Sequence, residues 1–198
     1  MPNRSSTASH DSEKVHVLRH HDQHQLREGF RSMLQSMVRV RTKEVIAIKP
    51  NLCAPMPERT GATTSLWMIE DTVAHIRKRR ATPIILEGPS HIHDFNQVVD
   101  VTGVRELSRR LGVELIDARE DGMPLQPLKH DTATRMYQVH MAALSADGII
   151  CLPKLKTHNR TKVTLTLKGL MGFLSPADRH GFHLRGVEED VVELYKRL

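Results

Sequence analysis

A segment rich in cations and hydroxyl groups holds the residues of this sequence best suited to bind an anion. It follows the apolar run Gly148 to Leu152. Lys154 and Lys156 lie on the same side of an extended segment, because successive side chains of a strand alternate. If the chain from position 161 onward is helical, Thr164 and Lys168 share one helix face. Ammonium and hydroxyl groups bind phosphate and carboxylate, so the segment predicts a site for a small anionic ligand.

A second polar group follows an earlier apolar run. Lys49 and Asn51 come directly after the predicted strand 44–48, and Thr63 and Thr64 precede a helix that Ser65 can cap. Backbone N–H groups at a helix N-terminus, with hydroxyl groups and a lysine beside them, form an anion site. Two simpler explanations stay open: the threonines are ordinary capping residues, and Lys49 extends its ammonium group to solvent. No Walker-type phosphate-binding sequence is present.

His158 and Glu87 are the candidates for acid–base chemistry. Among side chains, histidine titrates nearest to neutral pH, so His158 is the simplest base to assign. Glu87 follows the predicted strand 83–86 and is the second candidate, either as an acid–base group or as a group that orients a metal. We count Lys168 with them as catalytic, because it would polarise the bound anion. The structural alternatives are a hydrogen bond between His158 and its own turn, and an ion pair between Glu87 and a neighbouring lysine.

Strands and helices alternate along the chain in the pattern of βαβ units. Strands are predicted at 14–18, 44–48, 83–86, 113–117 and 148–152, and helices at 22–39, 65–80, 98–111, 137–144 and 163–174. Residues 118–136 are predicted to be irregular. The expected fold is α/β, with a mainly parallel sheet and helices on both faces. Ligands of such sheets bind beyond the carboxyl ends of the strands, where the polar groups above are found.

Length and composition favour one soluble domain. The chain has 198 residues, of which 39% are hydrophobic and 26% charged. We expect a disordered tail over residues 1–13 and a single α/β domain over 14–198. No apolar run has the length of a membrane span, and no signal peptide precedes the domain, so we expect a cytoplasmic protein with no membrane partner.

The distribution of charge and the number of cysteines limit the classes of ligand and partner that we expect. The formal net charge is +6, and residues 154–185 hold seven basic residues and one acidic residue, as an anion site would require. Aromatic residues are only 4%, so base stacking has little to work with and a nucleic-acid partner is unlikely. Cys53 and Cys151 are the two cysteines, which cannot supply the four thiolates of an ordinary iron–sulfur cluster.

Four motifs in order make the sequence resemble the DUF362 family over about residues 40 to 195. They are IKPNL (48–52), GATTS (61–65), ILEGPS (85–90) and GIICLPKLKTHNRTKVTLTLKGLMG (148–172). The resemblance implies an association with iron–sulfur proteins, because many members carry ferredoxin-type cysteine motifs in an added segment. This chain has no CxxCxxC run, so a separate iron–sulfur partner would bring the cluster. The family's α/β domain ordinarily continues with further strands, so the chain is either a compact variant or truncated at its C-terminus, and a second copy could cover the sheet edge.

A fainter resemblance is to lactate racemase-type enzymes, which hold a nickel cofactor with a lysine and histidines. It rests on the spacing of His158 and Lys168 and on His180 or His183 downstream, and it makes His158 and His183 candidate metal ligands. The small-residue Ser-Gly-Gly run before the lysine is missing. Three hypotheses therefore stay open: an enzyme acting on a small anion, a non-catalytic module serving an iron–sulfur partner, and a nickel-cofactor enzyme. A divalent metal is left open in the first.

Overall fold

The computed structural model describes residues 16–120, 124–129, 134–158, 162–185 and 187–198. Its strands are β1 (Val45–Pro50), β2 (Thr82–Glu87), β3 (Glu114–Asp117), β4 (Leu125–Lys129), β5 (Thr134–Gln138), β6 (Gly148–Leu152), β7 (Lys156–His158) and β8 (Lys162–Thr164). Its helices are α1 (Gln23–Met37), α2 (Leu66–Lys78), α3 (Phe95–Val101), α4 (Val104–Leu111), α5 (Met141–Ser145), α6 (Thr166–Leu170), α7 (Pro176–Arg185) and α8 (Val187–Arg197). The predicted tail, residues 1–13, lies outside the described residues.

A four-stranded parallel sheet in the order β3-β2-β1-β6 forms the centre of the molecule. In the register, Ile48 of β1 lies between Ile85 of β2 and Ile150 of β6. The chain winds outward from β1 to β3 and then returns to place β6 on the other side of β1. Beyond the carboxyl ends of β1 and β6 the winding therefore changes direction, which is where sheets of this type bind ligands. The predicted α/β fold with a parallel sheet is confirmed.

Each face of the sheet packs against its own set of helices. Ile150 and Leu152 of β6 point into a core built with α1 to α4, whereas Ile149 and Cys151 of the same strand point into a core built with α5 to α8. The alternation follows from the geometry of a strand, whose successive side chains lie on opposite faces. Both faces are covered, which explains why the strands are continuous apolar runs rather than alternating ones. No helix in the described ranges combines the length and apolarity needed to cross a bilayer.

The strands at 44–48, 83–86, 113–117 and 148–152 and the helices beginning after Asp22 and Ser65 are found close to their predicted positions. Asp22 caps α1 by accepting a hydrogen bond from the His24 N–H at 2.6 Å. The helix predicted over 98–111 is two helices, because Gly103 between them adopts φ +78°. Such a backbone conformation interrupts a right-handed helix and favours glycine.

Three predictions for the second half of the chain are wrong in whole or in part. The stretch 118–136, which was predicted to be irregular, contains β4 and the first residues of β5, and these two strands pair antiparallel. Tyr137, which was predicted to be helical, lies in β5. The predicted helix over 163–174 begins only at Thr166, because the preceding residues pair with β7 as β8. Residues 16–18, the described part of the first predicted strand, are irregular.

Candidate functional site

A cavity of about 310 Å³ lies beyond the carboxyl ends of β1 and β2, where side chains from distant parts of the chain meet. The β7–β8 hairpin, α6 and α7 complete its walls. Six of the residues predicted for the site line it: Lys49, Asn51, Glu87, Lys156, Thr164 and Lys168. The convergence follows from the parallel sheet, which brings the carboxyl ends of its strands to one edge.

Glu87 forms a buried ion pair with Lys49 at the floor of the cavity. Their side chains are 3% and 4% exposed, and Lys49 Nζ lies 2.5 Å from Glu87 Oε1. Glu87 also accepts hydrogen bonds from the N–H groups of Gly88 and Leu52, each at 2.8 Å. Lys49 Nζ further donates to the Pro50 carbonyl at 2.8 Å. The geometry is that of the structural alternative for Glu87, an ion pair that ties the end of β2 to the end of β1, so its role in proton transfer stays a prediction.

Lys156 forms hydrogen bonds with the loop that follows β1. Its Nζ donates to Asn51 Oδ1 at 3.0 Å, to the Ala62 carbonyl at 2.6 Å and to Cys53 Sγ at 2.9 Å. An ammonium group has three N–H donors, so these contacts occupy all of them. Lys156 therefore contributes positive charge to the cavity while its donors hold β7 against that loop.

Three predicted ligand-binding residues lie outside the cavity lining. Thr64 Oγ1 donates to the Leu152 carbonyl at 2.6 Å and accepts from the Asn51 N–H at 2.8 Å. Thr63 Oγ1 donates to the Met56 carbonyl at 2.9 Å, and both threonines are buried. Lys154 is half-buried. Both threonine hydroxyls thus donate to backbone carbonyl groups. The ligand-binding role assigned to these three residues stays a prediction.

The Lys168 ammonium group, in contrast, has no partner among the described residues. Lys168 is half-buried on α6, and within the described part of the chain its ammonium group has neither a hydrogen bond nor an ion pair. Burial lowers the pKa of Lys168, and the positive charges of Lys49, Lys156 and Arg179 lower it further, against an opposite effect from Cys53. A cation in such surroundings is stabilised by an incoming negative charge.

Thr164 presents a second open group in the same cavity. Its residue is 3% exposed, and its Oγ1 is buried without a hydrogen-bond partner among the described residues. Buried hydroxyl groups are nearly always hydrogen-bonded, because leaving one unpaired has a cost of about 1–3 kcal/mol. An orphaned hydroxyl that lines a cavity therefore points to a ligand.

The sequence analysis missed Arg179 of α7, which lines the cavity beside these groups. Its guanidinium group donates to four backbone carbonyls, at 2.6 to 2.9 Å, and burial lowers its pKa to about 10. These carbonyls are those of Gly88, Pro89, Gly172 and Leu174. The signal that could have found it was the basic excess of residues 154–185.

Two glycines let the backbone close tightly around the buried pair. A Cβ on Gly172 would lie 2.8 Å from Lys49 Cε and 3.2 Å from Glu87 Oε1, and a Cβ on Gly88 would overlap the Arg179 guanidinium group. Neither position has room for a methyl group. This close approach explains why glycine stands at these points of the two motifs.

The cavity has more positive than negative charge. Among the described residues four cations line it, Lys49, Lys156, Lys168 and Arg179, and Glu87 is the carboxylate in that lining. A concave site with one sign of charge and partly buried walls concentrates ions of the opposite sign. The arrangement can therefore bind an anion.

The described residues contain no group of three or more His, Cys, Asp or Glu close enough to hold a metal ion. The side chains of His158 and His183, the predicted ligands, lie outside the described part of the chain. Their assignment as metal ligands, and that of His158 as the acid–base group, stays a prediction.

Comparison with known proteins places the chain in a family. No curated protein matches it significantly. A family model described as a domain of unknown function, DUF362, matches residues 46–198, which begin in β1 and include every residue of the cavity lining. This match covers most of the chain and confirms the resemblance found in the four motifs. The chain belongs to the DUF362 family.

Proposed function

We propose that the cavity binds a small anionic ligand that carries a phosphate or carboxylate group. The observation that carries the proposal is the Lys168 ammonium group, half-buried and unpaired within the described residues while three further cations line the same cavity. Protein interiors rarely hold a charge without a partner, because its desolvation is costly. An anion supplies that partner, and the Thr164 hydroxyl supplies a hydrogen bond.

The proposed class of protein is an enzyme acting on this anion. Lys168 would polarise the ligand, and His158, carried by β7 with Lys156, is the proposed acid–base group. Glu87 would hold Lys49 in place, as its three hydrogen bonds suit it to do. We further propose that the protein works in the cytoplasm.

A second proposal is a redox-associated module that serves a separate iron–sulfur protein. It is supported by the cysteine count, since two cysteines are too few for an ordinary cluster held by one chain. Cys53 and Cys151 are both free, and burial raises the pKa of the Cys151 thiol, which makes that residue an inert part of the core. Purified protein that carries its own iron and sulfide would contradict this proposal.

Lys168→Met tests anion binding. Inorganic phosphate and a panel of small carboxylates are expected to raise the melting temperature of the natural protein, since a ligand at about 100 times its Kd adds about 2.7 kcal/mol of stability. Without ligand, the variant is expected to melt no lower than the natural protein, because it removes a partly desolvated, unpaired charge. With ligand, its melting temperature should not rise.

Lys78→Met, which removes an exposed cation from the end of α2, is the matched control and should keep the full response. Sodium chloride at equal ionic strength separates specific binding from charge screening. An equal response in the Lys168 variant, or no response of the natural protein to any anion of the panel, contradicts the proposal.

A further inference from the structure

The amine of Lys168 differs from the other lysine amines of the cavity in what it contacts. Lys49 is held by a carboxylate and a carbonyl, and Lys156 is held by three acceptors. Lys168 has no such acceptor in the described structure, although it lines the same cavity. Its nitrogen is therefore free to react.

We propose that Lys168 is a nucleophile that forms a Schiff base with a carbonyl group adjacent to the anionic group of its ligand, which makes the ligand a small 2-oxo acid. The inference rests on the proposed anion site and specifies its ligand. A lysine becomes nucleophilic when it is desolvated or placed near other cations, because both effects favour the neutral amine. Burial and three neighbouring cations lower the pKa of Lys168 in this way.

The other groups of the cavity suit the remaining atoms of a 2-oxo acid. The carboxylate would be attracted by the positive charges of Lys156 and Arg179, neither of which has a carboxylate in hydrogen-bond contact within the described ranges. The Thr164 hydroxyl, which is buried without a partner among the described residues, would donate to the oxygen of the carbonyl. The volume of about 310 Å³ is at the lower end of the range for small-molecule sites, which fits a ligand of this size.

The condensation is balanced without an oxidant or a reductant. The neutral amine adds to the carbonyl carbon, forming the C–N bond, and a proton passes from nitrogen to oxygen to give a carbinolamine. Protonation of the hydroxyl group then releases water and leaves the protonated imine. Burial and the neighbouring cations favour the first step because they lower the pKa of the amine and so raise the fraction of it that is neutral, and the ligand carboxylate offsets the charge of the imine.

Reductive trapping tests the inference on the full chain. The natural protein is incubated with pyruvate or glyoxylate and cyanoborohydride, which reduces an imine to a stable secondary amine, and the modified lysines are located by peptide mass spectrometry. We expect Lys168 to be modified at least about tenfold faster than the exposed lysines, a difference of about 1.4 kcal/mol in barrier. Inorganic phosphate should slow the reaction at Lys168 and leave the exposed lysines unaffected.

Variants then separate this inference from the anion site itself. Lys168→Arg keeps the charge and removes the nucleophile, so it should still be stabilised by phosphate and should give no adduct at that position. Lys78→Arg should react as the natural protein does. If phosphate stabilises the natural protein but Lys168 reacts no faster than exposed lysines, the Schiff base is overturned and the anion site stands. If neither phosphate nor the 2-oxo acids bind, both fail.

Discussion

The Glu87 carboxylate accepts three hydrogen bonds at the floor of a cavity in which the described residues supply four cations. A buried ion pair adds little relative to apolar residues, but removing one partner leaves the other charge uncompensated. For Lys49 that loss is aggravated by the like charges of Lys156, Lys168 and Arg179. We therefore expect the fold to need this pair in order to hold the four cations together.

Glu87→Gln is expected to lower the free energy of unfolding by about 3–5 kcal/mol, because it leaves the buried Lys49 without its carboxylate partner. Urea denaturation measures the effect. Lys49→Met combined with Glu87→Gln should recover part of the loss. Glu193→Gln, which breaks the exposed pair with Lys196, is the matched control and should change stability by less than about 1 kcal/mol. A Glu87 variant as stable as this control contradicts the structural role.

The sequence indicated which residues meet at the site better than it indicated what each one does. Lys49 and Glu87 could be placed together because they lie at the carboxyl ends of neighbouring strands of one parallel sheet, and Lys168 because its segment follows β6 of the same sheet. That Thr64 is used by the Leu152 carbonyl could not be foreseen, because a hydroxyl before a helix suits capping and ligand binding equally well. Arg179 was missed because nothing local distinguishes a buried arginine on a helix from a solvated one.

At the scale of elements, short segments were predicted least well. Residues 163–174 fit both an alternating and a helical pattern, and the structure uses both in turn, as β8 and then α6. The pairing of β8 with β7, which places Thr164 opposite Lys156, decides between the two patterns. The periodicity of residues 163–174 alone does not predict this pairing. β6 is a continuous apolar run with no competing periodic pattern, which explains why its bounds were predicted correctly.

Gly103→Ala is expected to lower the free energy of unfolding by more than about 1 kcal/mol, because alanine is strained at φ +78° and its Cβ would lie 3.1 Å from Leu66 Cδ1. Thermal or urea denaturation measures the change. The matched control is Gly169→Ala in α6, where a Cβ meets no atom within 4 Å and which should be neutral or stabilising by about 0.5–1 kcal/mol. Equal effects of the two substitutions would show that α3 and α4 do not depend on this turn.

At the scale of the whole molecule, each face of the sheet contains a buried histidine. On one face His75 of α2 donates from Nε2 to the Val38 carbonyl at 3.3 Å, and on the other His140 accepts from the Ala142 N–H at 3.2 Å and so caps α5. Burial lowers the pKa of both imidazoles. Protonation of His140 Nδ1 would also remove its capping hydrogen bond.

The stability of the fold is therefore expected to fall on mild acidification. Both histidines bind protons in the unfolded chain near the usual pKa of about 6.5 but resist protonation when folded, so their contribution is complete above that pH and is lost progressively below it. Urea denaturation at about pH 8 and about pH 5.5 measures the slope. His75→Gln combined with His140→Asn, which keeps a capping side chain, should flatten it. His24→Gln, at an exposed position, should not, and an unchanged slope in the double variant would refute the assignment.

The cations of the cavity come from positions 49, 156, 168 and 179, which lie far apart along the unfolded chain. Their mutual repulsion is therefore weak in the unfolded chain and largest in the folded molecule, where all four line one cavity. Salt ions screen that repulsion, and an anion bound in the cavity would offset it. An anion bound as we propose would therefore favour the assembled cavity over the open one, so we expect the site to form more completely when that anion is present.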